Sequence, residues 1–300
     1  MYRSISRSFA LAGLWMVAAG AAHAISVSTY TIDFETEDDF VTPLVHGQSI
    51  YSTPRPNNVS PNIPFASDTV LEFGNLFNVS STIIGSDGHL GPAIFDSDPA
   101  DTTSTTDPDL LVGLGNVLLL HRDNGPNHTI NPTYGLVFNN PNDEAEPDDR
   151  GSIVLDFLLP LVQPLSIDLI DVDNNVNITV VLTDNLGRER TFLVPENWTT
   201  DITENPAGYH TLNLESLLPQ SAAPNATGLA AVGLQDLGYN AGHVVRMAVQ
   251  FAGTATSGAI DNVVFRVVPE PTTYLLVAMA AGAVLARRKR PGLGSLMGRL

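Results

Sequence analysis

The chain has 300 residues, no cysteine, and 32 acidic against 14 basic residues, a formal net charge of −18. Without cysteine there are no disulfides and no thiolate metal sites. An acidic surface of this kind repels phosphate backbones, which excludes nucleic acid as a partner class.

The first 24 residues read as a secretory signal peptide. Arg3 and Arg7 supply the positive start, residues 9–19 the apolar segment, and Ala22-His23-Ala24 the small-residue cleavage site. The mature chain is therefore expected to begin at Ile25. From there to Val268 the sequence holds 31 acidic residues against 7 arginines and no lysine. The remaining basic residues sit at the two ends, which assigns the ends to a membrane and the middle to a different environment.

Residues 25–268 show period-two alternation and β-branched runs separated by Gly, Asn, Asp and Pro clusters. Strands are expected at 30–34, 117–120, 134–138, 152–157, 165–172, 177–183, 191–194, 209–214, 244–251 and 259–267. Asn124-Gly125 and Asp184-Asn185-Leu186-Gly187 carry turn chemistry, the second as a hairpin. Residues 212–218 carry a weak signal for one helical turn. Many strands and no long helix predict an all-β ectodomain, a jelly-roll-like β-sandwich in one unit.

Carboxylates are the abundant candidate ligands, and Ca²⁺ accepts six to eight hard oxygens in flexible geometry. Asp33 and Glu35 lie in Thr31-Ile32-Asp33-Phe34-Glu35, which opens the first strand, and Asp261 lies in the last. First and last strands of a jelly roll tend to be neighbours, so Glu35, Asp33 and Asp261 are expected to meet. The arrangement is similar to that of carbohydrate-binding jelly rolls, in which an early Glu and a late Ile-Asp segment share a structural Ca²⁺. Two loop clusters, Asp96 to Asp109 and Asp143 to Asp149, are further candidates. Asp171-Val172-Asp173-Asn174-Asn175 starts like an EF-hand loop, but Val176 replaces the turn glycine and Leu182 the bidentate Glu, so it is set aside.

No catalytic residues are expected. There is no G-x-S-x-G elbow and no H-E-x-x-H zinc motif, and the histidines are scattered. Trp198, the lone tryptophan between the ends, is the residue expected to contact a glycan if the domain binds one; otherwise it plugs the core.

The C-terminus has three parts: Pro269-Glu270-Pro271, an uncharged run over 272–286, and the basic cluster Arg287-Arg288-Lys289-Arg290. As a helix the run is about 22 Å long, short for a stable span. The basic cluster stops transfer and stays cytoplasmic. The prolines hold an extended segment at the membrane face.

Val268-Pro269-Glu270-Pro271-Thr272, the Leu- and Ala-rich run and the arginine cluster, in that order, closely resemble the PEP-CTERM sorting signal. The resemblance covers residues 268–290, and the chain continues past the cluster to Leu300. It implies recognition by a membrane-embedded exosortase, transient anchoring in the inner membrane, and delivery to the cell surface or extracellular matrix. The expected function is a non-catalytic structural or adhesive β-sandwich in exopolysaccharide or biofilm. The alternative is a secreted glycan-binding module or polysaccharide hydrolase.

Overall fold

The computed structural model describes residues 27–50, 73–84, 89–99, 110–122, 128–131, 133–141, 150–172, 176–199, 208–224, 226–253 and 258–268. The expected signal peptide, the sorting tail, the Asn124-Gly125 turn and the Asp143 to Asp149 cluster lie outside the described residues. Ser28–Val267 forms one compact unit. Among the described residues no helix is long and apolar enough to cross a membrane.

Every named element is a strand, and every pairing is antiparallel. The first layer is built on β14 (Ala259–Val267), which pairs on one edge with β8 (Val162–Ile170). β8 in turn carries β11 (Tyr209–Asn213). The other edge of β14 is shared. Ala259 and Ile260 pair with β4 (Asn116–Arg122), while residues 263–267 pair with β1 (Ser28–Ile32). β3 (His89–Asp96) extends the layer beyond β4.

The second layer runs β12 (Val232–Gln235), β10 (Glu189–Val194), β9 (Val176–Asp184), β13 (Val244–Gly253), β7 (Arg150–Phe157) and β2 (Phe77–Ile84). One bridge, Val244 to Val162, joins the layers, so the twelve strands form a continuous ladder folded on itself.

Alternation explains the sandwich. Along β9 the buried positions are Val176, Ile178, Val180, Leu182 and Asp184, with Asn177 exposed and the rest half-buried. Strands buried on one face carry this period of two. The inward side chains of both layers join one core: Leu118, Ile167, Leu169, Val263 and Phe265 meet Val79, Leu155, Val180, Met247 and Val249. Phe265 stacks on Tyr30 at 5.2 Å between centroids and meets Phe157 edge-on at 5.2 Å.

A smaller core lies on the other face of the first layer. Ala93, Phe95, Val117 and Leu119, one residue out of phase with Ile94, Leu118 and Leu120, pack with Leu136 and Phe138. Those two come from a separate hairpin of β5 (His128–Asn131) and β6 (Gly135–Phe138). The hairpin is sewn down by Phe138 N–H to the Gly47 carbonyl at 2.7 Å and Ser49 N–H to the Leu136 carbonyl at 2.9 Å. Gly47 has φ +81°, and a Cβ there would lie 2.0 Å from the Phe138 oxygen, so only glycine fits.

All ten expected strands are present, with bounds differing by a few residues. The hairpin at Asp184 is also present. The Asp184 carboxylate accepts from Leu186 N–H, Arg188 N–H and Nε, and Asn240 N–H. Burial alone raises its pKa, but these donors outweigh that and hold the carboxyl well below the usual range. The expected helical turn at 212–218 is not formed. Asn213 Oδ1 accepts from Glu215 and Ser216 N–H, an Asx turn that competes with helix. Four strands escape sequence reading: β2, β3, β5 and β12. Pro92 interrupts β3 next to a register shift, and Gly233 interrupts β12.

Truncating Phe265 to Ala should lower unfolding stability by about 3–5 kcal/mol, because it leaves a cavity where the two layers meet. Chemical denaturation of the two proteins measures this.

Candidate functional site

β14 changes partner at Asp261-Asn262. Before this point it pairs with β4, after it with β1, and its register with β8 shifts between Asp261 and Val264. Asn262 accommodates the shift with φ +45°. β1 leaves the sheet at the same place: Phe34, buried in the core against Phe73, has φ +55°. A buried aromatic residue in the left-handed region is strained, at a cost of about 1–3 kcal/mol. Asp33 and Glu35 therefore flank a side chain fixed in the core.

The fork collects carboxylates. Asp261 lies directly opposite Asp168 across the β14–β8 ladder. Both are buried, 1% and 6% exposed. One Asn262 amide bridges them, with Nδ2 donating to Asp168 Oδ2 at 2.9 Å and to Asp261 Oδ2 at 3.0 Å. Thr211 Oγ1 donates to the other Asp168 oxygen. Asp261 Oδ1 is buried and has no hydrogen-bond partner.

Burial pushes the Asp261 carboxyl up to about 8; the Asn262 backbone N–H draws it partly back, and the charges of Asp168, Asp33 and Glu35 raise it further. The expected meeting of Glu35, Asp33 and Asp261 thus appears as electrostatic proximity. Glu35 is anchored on β4: Asn116 N–H donates to its Oε1 at 2.8 Å. Gly115 leaves the space, since a Cβ there would lie 1.9 Å from that oxygen.

Among the described residues no group of three or more His, Cys, Asp or Glu side chains is arranged to hold a metal ion. Asp33 and Glu35 are exposed, and Glu35 is held to β4 by the Asn116 N–H. Asp168 and Asn262 are the members that sequence reading missed. Asp168 sits between inward-facing Ile167 and Leu169 and reads as an ordinary outward strand position.

The other candidates fare differently. Trp198 is fully buried. Its Nε1 donates to the Gln220 carbonyl at 3.4 Å and its ring lies 4.7 Å from that of His210. A lone tryptophan gains more from burying its large apolar face than from solvent, so Trp198 closes one end of the core and offers no face to a glycan. Of the Asp96 to Asp109 cluster, Asp96 and Asp98 are described. Asp98 N–H donates to Asp96 Oδ1 at 2.9 Å, and Asp96 N–H to His46 Nδ1 at 3.0 Å.

No family model matches the chain, and no curated protein matches it. Among solved structures, the chain is similar to a family 11 carbohydrate-binding module from Clostridium thermocellum in complex with a β-1,3-1,4-mixed-linked tetrasaccharide. Identity is 8% and the TM-score 0.29, over 63% of this chain and 88% of the module. A second similar structure is the family 11 module of the cellulosomal cellulase Lic26A-Cel5E of the same organism. There the identity is 9% and the TM-score 0.27, over 64% and 83%. A likeness this distant defines neither ligand nor chemistry for this chain.

A carboxyl whose folded pKa is raised favours the fold while protonated, below its unfolded value, and that contribution is lost as pH rises through its folded value. In chelator, stability should therefore fall from about pH 4 to about pH 8, by up to about 5 kcal/mol from this group. Asp261→Asn, which mimics the protonated acid, should flatten that slope. Denaturant titrations across pH provide the check.

Proposed function

We propose that the chain is an exported, non-catalytic β-sandwich of the cell surface or extracellular matrix, sorted by an exosortase through its C-terminal signal. One observation carries this reading. The compact unit spans Ser28–Val267, inside the bounds that the Ala24 cleavage site and Pro269-Glu270-Pro271 prescribe. The sorting tripeptide follows the last sheet residue with almost no spacer. The neighbouring first and last strands are the relation a jelly roll has, which is the finer architecture proposed.

Ca²⁺ is the proposed ligand of the fork, held by Asp261, Glu35 and Asp33, with Asp168 joining them. Asp261 Oδ1 is the oxygen that favours it, being buried, acidic and without a donor. A cation there ties β1 to β14 and replaces the proton that Asp261 otherwise keeps. The glycan-binding alternative loses its named contact with Trp198 in the core.

Two experiments bear on these proposals separately. Replacing Pro269, Glu270 and Pro271 by Ala in the native host should leave the protein in the inner-membrane fraction, where the natural sequence reaches the surface or medium. Identical fractionation of the two would sink the sorting proposal.

For the fork, ligand that binds only the native state raises the melting temperature by mass action. Ca²⁺ at 100 times its dissociation constant should add about 2.7 kcal/mol. Asp261→Asn should abolish the Ca²⁺ response while being more stable than the natural protein in chelator at pH 8. A Ca²⁺ response unchanged by the substitution would move the cation elsewhere.

A further inference from the structure

The first strand begins and the last strand finishes at one end of the sandwich, with Ser28 paired directly to Val267. From Val267 a line of strand partners crosses both layers, through Val162 and Val244 to Asp184. Three loops close this end. They are the β7–β8 turn, the β9–β10 hairpin, and the β12–β13 connection, whose Asp236 N–H reaches the Glu189 carbonyl beside that hairpin. Each carries a leucine in solvent: Leu158, Leu186 and Leu237 are 49%, 69% and 99% exposed. Turns on a body that meets only water are ordinarily polar.

We propose that this end of the sandwich docks on a lipid surface, with the three leucines in the headgroup layer. The proposal rests on the sorting reading, in which residues 272–286 enter the membrane. Four residues separate Val267 from Thr272. Fully extended they reach about 14 Å, of which the headgroup layer takes about 5–8 Å. As a helix the apolar run is about 22 Å long against a hydrocarbon core of about 30 Å, and this mismatch draws body and bilayer together. The tether therefore selects the end of the sandwich that meets lipid, and it is the end where the leucines stand. Before cleavage at Ala24, the N-terminal apolar segment leads into Ser28 at the same end.

Charge is partly offset here. The ion pairs Arg188–Asp184, Arg246–Asp156 and Arg266–Glu215 lie in the hairpin and the last rows before this end, and each arginine neutralises a carboxylate. Glu189 and Asp236 add negative charge, as does Asp38, which accepts from Asn75 N–H beside the start of β2. The tether and the apolar tips, rather than charge, hold the body to the surface. A zwitterionic surface therefore fits this end better than an anionic one.

The absence of cysteine allows one fluorescent label at a time. The full chain is reconstituted into phosphatidylcholine vesicles that carry nitroxide lipids. A label at Ala280→Cys, within the apolar run, should be quenched by acyl-chain nitroxides. Headgroup nitroxides should quench labels at Leu158→Cys, Leu186→Cys and Leu237→Cys. They should leave Leu229→Cys bright, since that residue lies at the opposite end, where Gly228 N–H meets the Asn197 carbonyl beyond β10. The tether alone brings the end close, so the leucines need their own test. Adding Leu186→Asp and Leu237→Asp should remove the quenching at Leu158→Cys while Ala280→Cys stays quenched. Leu186→Ser with Leu237→Ser repeats the test if the aspartates disturb the loops. Equal quenching at Leu229→Cys, or quenching at Leu158→Cys that survives the polar substitutions, overturns the proposal and leaves the sorting reading intact. An unquenched Ala280→Cys overturns both.

Discussion

Ala259 and Ile260 hydrogen-bond with β4, whereas the stretch from Val263 onward hydrogen-bonds with β1, and the other edge of β14 is held by β8 throughout. A strand that changes neighbours must shift its register, and here Asn262 takes a positive φ to do so. The small core beneath the β5–β6 hairpin depends on the part of the first layer that β4 contributes. The main core depends on the part that β1 closes with Phe265. Both cores therefore rely on one irregularity in one strand.

The same irregularity is where the acidity of the chain enters the interior. Most carboxylates can be solvated at no cost, but Asp168 and Asp261 are fixed by the ladder to face each other out of water. Two ionised carboxylates so placed are unfavourable unless a proton or a cation lies between them. The Asn262 amide and the Thr211 hydroxyl satisfy three of the four oxygens. Asp184 shows the other outcome. It is equally buried, but the hairpin directs three donors at it and the Asn240 N–H is a fourth, and it remains ionised without external help.

Much of the architecture was legible in the sequence because a half-buried strand declares itself by alternation. β9 and β10, with a turn carrying Gly187 at φ +76° between them, are the clearest case. The strands that escaped are those whose neighbours override the local pattern. Gly233 is required because Leu217 and Phe192 lie where a Cβ would be, and glycine reads as loop in isolation. The pairing of first and last strands was legible. Asp168 was not, since burial of an outward strand position depends on what covers that face. Trp198 had two readings in the sequence, and only the packing of Gln220 and His210 around it separates them.

Because β14 is the last described strand yet central in its layer, β1 has no strand partner, and the β8–β11 and β3–β4 pairs stay unjoined, until residues 259–267 are available. β1 waits for nearly the whole chain, with Ser28 paired to Val267. Contacts so far apart in sequence slow the search for the native state. A nascent chain lacking its final strand can assemble the β9–β10 hairpin but not the first layer. The first layer is thus complete only when residues 259–267 are in place.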